Sequence, residues 1–154
     1  MLGFNQGMLT GAGMLFAVFG DDPSFTLSYA QIRAELTPAY ETCRSAAEAA
    51  YGDTAFNLAP FAECEMAEQE AQEALLDQLI ARAQSRLPRA EAVNLDQLRT
   101  QWQEARDGKC IREGDRRAGM ELVVATQCQI EDIVLRRVTL EERMGDRPSP
   151  TPPL

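Results

Sequence analysis

The chain has 154 residues, no histidine, 45% hydrophobic and 25% charged side chains, and a net charge of −9. Without histidine it lacks the commonest general base and the commonest metal ligand, which excludes a Ser-His-Asp hydrolase and a histidine-ligated zinc enzyme. The length suits one domain with a real core, and abundant Ala, Glu, Gln, Leu and Arg with few β-branched residues favours helix.

The charge is unevenly placed. Residues 1–80 hold twelve acidic and two basic side chains, a net −10, whereas residues 81–154 are close to balanced. Such a chain lacks the basic footprint that nucleic acid requires. It suits a basic protein partner reached by electrostatic steering, although acidity also serves solubility alone.

Residues 1–20 carry no charge, and Met8 to Phe19 is apolar yet too short and too rich in glycine for a membrane span. The run has the character of a secretory signal, with Val18 and Gly20 suiting cleavage before Asp21, although no Lys or Arg precedes it. An uncleaved anchor is the other reading, and the only one that places the protein at a membrane. Residues 21–36 read as a leader. Asp21-Asp22-Pro23 signals a turn, and Phe25, Leu27 and Tyr29 alternate, while Ser28 to Leu36 suits a short helix equally well.

Thr37-Pro38 is a helix start, and the predicted helix runs to about Ala50 with Tyr40, Cys43, Ala47 and Tyr51 along one side. Gly52-Asp53 breaks it, and Pro60 opens a long second helix reaching about Arg86. The predicted apolar stripe of that helix is Phe61, Cys64, Ala67, Ala71, Leu75, Leu79, Ala83 and Leu87, widened by Leu76 and Ile80. Glu63, Glu70 and Asp77, with Glu73 beside them, form an acidic line elsewhere on the cylinder. This line is the candidate partner-binding surface; the plainer reading is a solvated face.

Pro88 ends the second helix. Asn94 reads as the cap of a third, with Gln97 at the capping-box position and Val93 stapling to Leu98. Its inward positions are Leu95, Leu98, Trp102, Ala105 and Cys110. After a break at Gly114-Asp115, a fourth helix runs from about Arg117 to Met144, with Val123, Ile130, Ile133, Val134, Val138 and Leu140 inward. Residues 146–154 are rich in proline and read as a disordered tail. The expected fold is all-α: a small antiparallel bundle of about four helices over residues 37–145.

Four cysteines, Cys43, Cys64, Cys110 and Cys128, allow three pairings. An even count in an exported chain implies a disulfide framework. The local pairs Cys43–Cys64 and Cys110–Cys128 are favoured, because each bridges two sequential helices across one loop. The wide gaps oppose a zinc site, and buried free thiols would be the reading for a chain that is not exported.

The segments Tyr40-Glu-Thr-Cys43, Gly52-Asp53-Thr54, Cys64 with its acidic helix, and Gln101-Trp102-x-x-x-Arg106-Asp107-x-x-Cys110 together resemble the LprI-like domain family, named for a lysozyme-inhibiting lipoprotein. The resemblance closes with Cys128 and a helix carrying Arg136, Arg137 and Leu140, and covers roughly residues 40–144. It implies an exported helical domain of bacterial envelopes, periplasmic or secreted, that inhibits lysozyme by binding it. It also implies structural roles for Trp102 as core filler and for Arg106 and Asp107 as a pair tying helices together. The chain departs from the pattern in having no lipobox cysteine, so no lipid anchor carries over. An assembly module of the cell envelope without inhibitory activity is the alternative. The acidic residues follow helical surface spacing, so no enzyme, cofactor or metal is expected. Mass spectrometry of exported material should find a chain that begins near Asp21; an intact, reduced chain in the cytosol is the contrary result.

Overall fold

The computed structural model describes residues 27–51, 57–110 and 120–148. The expected export segment, both Gly-Asp breaks and residues 149–154 lie outside the described residues. Among the described residues six helices form: α1 (Tyr29–Ala34), α2 (Pro38–Tyr51), α3 (Ala59–Arg86), α4 (Arg89–Ala92), α5 (Leu95–Cys110) and α6 (Met120–Arg143). The described residues contain no strand, so the domain is all-α, and two disulfides staple it.

Local chemistry accounts for the helix ends. Ser28 and Gln31 form a reciprocal capping box: Ser28 Oγ accepts from the Gln31 amide at 3.2 Å, and Gln31 Oε1 accepts from the Ser28 amide at 2.8 Å. That exchange settles Ser28 to Leu36 as helix rather than strand. Thr37 Oγ1 accepts from the Tyr40 amide at 3.2 Å and Pro38 opens α2. At the far end of α6, Gly145 adopts φ 76°. Its amide donates to the Glu142 carbonyl and that of Asp146 to the Glu141 carbonyl, the Schellman pattern that lets the chain leave a helix without orphaned carbonyls.

Both α2 and α5 run antiparallel to α3. Tyr40 and Thr37 of α2 meet Glu65 and Glu68 of α3 in reverse order, and Asp96 and Arg106 of α5 meet Gln84 and Glu73 of α3 likewise. The most extensive contact, α3 against α6, is parallel: Glu65 meets Gln127, Gln69 meets Gln129, and Arg86 meets Asp146. The disulfides are the two local ones, Cys43–Cys64 and Cys110–Cys128, with Cα–Cα distances of 5.7 and 5.6 Å, inside the range a bridge needs. In the chain-entropy account each contributes about 3 kcal/mol.

The main core joins Leu76, Leu79, Ile80 and Ala83 of α3, Leu95, Leu98 and Trp102 of α5, and Ile133 and Leu140 of α6. A second cluster places Leu27 and Leu36, flanking α1, on Ile130, Val134 and Val138 of α6. All the positions expected to face inward on α6 are buried.

The inward line of α3 differs from expectation. Ala67 and Leu75 are exposed and Ala71 is half-buried, whereas Glu65, Glu68 and Gln72 are buried. The C-terminal half follows the expected stripe, but the N-terminal half turns a polar line inward at the same helical spacing. The cause lies in the neighbours: α2 and α6 offer hydrogen-bond donors there. On α5 Ala105 is exposed and Arg106 takes the inward place. Residues 89–92 form the short helix α4, so Asn94 Nδ2 donates to the Ala90 carbonyl at 3.1 Å and Val93 lies exposed. The expected Val93–Leu98 staple is therefore absent.

Residues 27–36 of the expected leader and residues 146–148 of the expected tail belong to the domain. Glu35, at the end of α1, accepts from Arg137 Nη2 at 2.7 Å and from Arg147 Nη2 at 3.0 Å, and Arg147 also reaches Glu141 at 2.6 Å. Asp146 accepts from Arg86 at 2.8 Å. The hydrogen bonds from Arg147, then Arg137, hold the Glu35 carboxyl below its ordinary range against the opposing effect of burial. With the folded value lowered, its contribution to stability is complete above the unfolded pKa and is lost as pH falls through the folded one.

None of the described helices is long and apolar enough to cross a membrane. Leu79 has no exposed surface while Leu75, one turn earlier, is 38% exposed. Leu79→Ala should therefore cost about 2–5 kcal/mol in chemical denaturation, and Leu75→Ala under about 1 kcal/mol.

Candidate functional site

The polar half of α3 creates the site. Cys43–Cys64 clamps α2 against α3, and the residues after the two half-cystines are Arg44 and Glu65. Arg44 Nη1 donates to Glu65 Oε1 at 2.9 Å. The Tyr40 hydroxyl, one turn earlier on α2, donates to the same oxygen at 2.8 Å, and Gln127 Nε2 of α6 does so at 3.0 Å. Glu65 has no exposed surface, and its second oxygen, Oε2, is buried with no hydrogen-bond partner. The Arg44 guanidinium also lies 4.9 Å from the centre of the Phe61 ring and 6.0 Å from that of Tyr40, which supplies cation–π attraction on its flanks.

Glu68, one turn on, is the partner of the α2 cap. Its Oε1 accepts from the Thr37 amide at 3.0 Å and from Gln72 Nε2 at 2.8 Å, and its Oε2 accepts from the Thr37 hydroxyl. An acidic group at a helix N-terminus meets unsatisfied amides and the positive end of the dipole. Here the acid arrives from another helix.

Above Glu65 a cleft of about 210 Å³ opens between α1, α2 and α6. Its charged lining is Arg33, Glu41, Arg44, Glu48, Glu65 and Glu131, four carboxylates against two guanidinium groups. Arg33 pairs with Glu41 at 3.2 Å, and Arg44 is engaged with Glu65 while reaching Glu48 at 3.6 Å. The wall is aliphatic where Ile32, Leu36 and Ile130 meet. Tyr29 stands on the cleft lining, 75% exposed. Burial, then the hydrogen bond to Glu65, pushes the Tyr40 phenol well above its ordinary pKa. Tyr40 therefore remains a proton donor at neutral pH and cannot act there as a base. The chemistry on offer is fixed negative charge beside hydrocarbon.

The residues singled out in the sequence fall elsewhere. Trp102 is buried in the main core, with the Arg136 guanidinium 5.5 Å from its ring centre. Arg106 is buried and donates to Glu73 of α3 at 2.8 Å, so it does tie helices together. Its partner is not Asp107, which is exposed and makes no ion pair among the described residues. Arg99 engages Asp77 at 2.7 Å and approaches Glu73 at 3.9 Å. The acidic line is thus split: Glu73 and Asp77 are neutralised by arginines of α5, while Glu63 and Glu70 remain exposed. The antiparallel placement of α5, with arginines on its α3 side, is the physical reason.

Glu65, Tyr40, Arg44 and Gln127 were not anticipated as a group. One signal was present: once Cys43 and Cys64 are paired on antiparallel helices, the opposite charges that follow them come together. Among the described residues no group of three His, Cys, Asp or Glu side chains could hold a metal. Comparison of the chain with family models, with curated proteins and with solved structures finds no match.

Removing Glu65 leaves Arg44 and the Tyr40 hydroxyl without their acceptor. Glu65→Ala should cost about 3 kcal/mol, against under about 0.5 kcal/mol for Glu63→Ala on the open face. Thermal and denaturant unfolding of the two variants measures the contrast.

Proposed function

We propose that this protein is an exported binding module that captures a basic protein, with lysozyme the first candidate through the LprI-like resemblance. The observation that carries the reading is the cleft, where four carboxylates face two guanidinium groups beside an aliphatic wall. The net −10 of residues 1–80 extends the same field outward, which favours encounter with a cationic partner. The two disulfides are compatible with an oxidising compartment, and periplasmic or secreted placement belongs to this proposal. An envelope assembly module would use the same helices to hold a different partner.

The test is lysozyme activity with and without the purified full chain, at low and at physiological salt. Saturable inhibition is expected, weaker at the higher salt because exposed charges act mainly on association. The double variant Glu48→Lys and Glu131→Lys should weaken it while the unfolding midpoint stays near that of the parent. Absence of inhibition at both salt concentrations removes the inhibitor reading and leaves the assembly module.

A further inference from the structure

We infer that residues 27–36, with α1 at their centre, form a strap that opens as one unit about Thr37 and so gates the cleft and the α6 face made by Ile130, Val134 and Val138. In the closed state Leu27 and Leu36 cover that face, and Tyr29, Ile32, Arg33 and Leu36 supply one wall of the cleft. Opening removes the wall and bares three side chains that are otherwise buried.

Weak attachment is the first ground. No residue from 27 to 36 is buried: Leu27, Ile32, Glu35 and Leu36 are half-buried and the rest are exposed. A helix as short as α1 does not persist by itself in water. Both disulfides lie further along the chain, so neither ties the strap down. Arg33 and Glu41 pair in the open, with side chains 59% and 44% exposed, and such a pair holds little. Among the described residues the polar ties from the strap to α3 and α6 converge on Glu35. Its carbonyl accepts from Gln72 Nε2 at 2.8 Å, and its carboxylate accepts from Arg137 Nη2 at 2.7 Å and from Arg147 Nη2 at 3.0 Å.

The second ground is that each of these donors keeps a partner when Glu35 leaves. Arg137 Nη1 donates to Glu141 at 3.1 Å, Arg147 Nη2 donates to Glu141 at 2.6 Å, and Gln72 Nε2 donates to Glu68 at 2.8 Å. Glu35 itself turns to water. Opening therefore orphans no buried polar group, the costly event when a hydrogen-bonded contact breaks. The hinge has the opposite character. Glu68 accepts from the Thr37 amide at 3.0 Å and from its hydroxyl, so moving Thr37 would leave an enclosed carboxylate with Gln72 alone. The chain is held fast at Thr37 and loosely before it. Closure is favoured by the apolar contact of Leu27 and Leu36 with α6 and by the charge-assisted bonds of Glu35. A segment with so few buried contacts opens locally at a small fraction of the cost of global unfolding.

The test is amide hydrogen exchange of the full chain, the parent against Glu35→Ala and Leu79→Ala. The amides at positions 32, 35 and 36 donate to the Ser28, Ile32 and Arg33 carbonyls and report the strap; those of Ile80 and Ile133, in the main core, report global unfolding. In the parent the strap amides should be at least about a hundredfold less protected than the core amides. Glu35→Ala should lower protection at all three strap amides by one common factor of at least about ten. Leu79→Ala should lower protection in the core and leave the strap amides unchanged, because the core stays packed while the strap is open. A paramagnetic cosolute should broaden the methyl signals of Ile130, Val134 and Val138 more in Glu35→Ala than in the parent, and those of Ile80 and Ile133 equally in both.

Strap amides as well protected as the core, or strap protection that falls in Leu79→Ala together with that of the core, would overturn the inference. So would a Glu35→Ala effect that differs from one strap amide to the next, which is fraying from one end. Lower protection without the added methyl broadening means that α1 unwinds in place, and overturns it as well.

Discussion

Two carboxylates with almost no exposed surface, Glu65 and Glu68, sit on successive turns of α3, and the N-terminal half of the domain is arranged around them. Taking an ionised carboxylate out of water costs several kcal/mol unless charge and hydrogen bonds replace the solvent. Glu65 finds them in Tyr40, Arg44 and Gln127, and Glu68 finds them in Thr37 and Gln72. The positions of α2, of the segment between α1 and α2, and of the N-terminal part of α6 all follow from meeting that demand. The C-terminal half of α3 makes no such demand and buries Leu76, Leu79, Ile80 and Ala83 instead.

This division gives the domain two kinds of order. Hydrocarbon packing in the C-terminal half supplies non-directional stabilisation that tolerates exchange of similar side chains. The polar half is directional. A shift of α2 along α3 by one turn would carry Arg44 away from Glu65 and Thr37 away from Glu68, leaving enclosed acceptors bare. Cys43–Cys64 holds the same register covalently. Tyr40, Arg44 and Glu65 serve at once as framework and as lining of the cleft.

Much of the architecture was legible in the sequence, and the failures share a cause. On α6 large β-branched and leucine side chains recur at helical spacing, so its buried face could be read directly. On α5 Leu95, Leu98 and Trp102 did the same. Along the N-terminal half of α3 the expected line runs through Ala67 and Ala71, small alanines that suit surface and interior equally, and on to Leu75, whose neighbour Leu76 takes the buried place. The true line, Glu65-Glu68-Gln72-Leu76, has the same spacing but begins with residues that are buried only when partners on other helices satisfy them. Those partners are invisible to a periodicity. Arg147 was assigned to a tail by its prolines for the same reason: Glu35, its partner, lies 112 residues away. The splitting of the acidic line by Arg99 and Arg106 likewise depended on where α5 came to rest.

The disulfides join nearest neighbours in the chain, Cys43 with Cys64 and Cys110 with Cys128, at separations of 21 and 18 residues. A chain made and released from its N-terminus presents each pair in order, so the first bridge can close before the second pair exists. Closing neighbours first also avoids the wrong partners that a crossed connectivity would expose to one another. The Arg44–Glu65 contact falls within the same early hairpin, 21 residues apart, whereas Gln127 joins it across 62. The buried charge is thus matched by its countercharge before α6 arrives to seal it from water. For Glu65, vectorial folding needs no stage at which the carboxylate enters the interior without its countercharge.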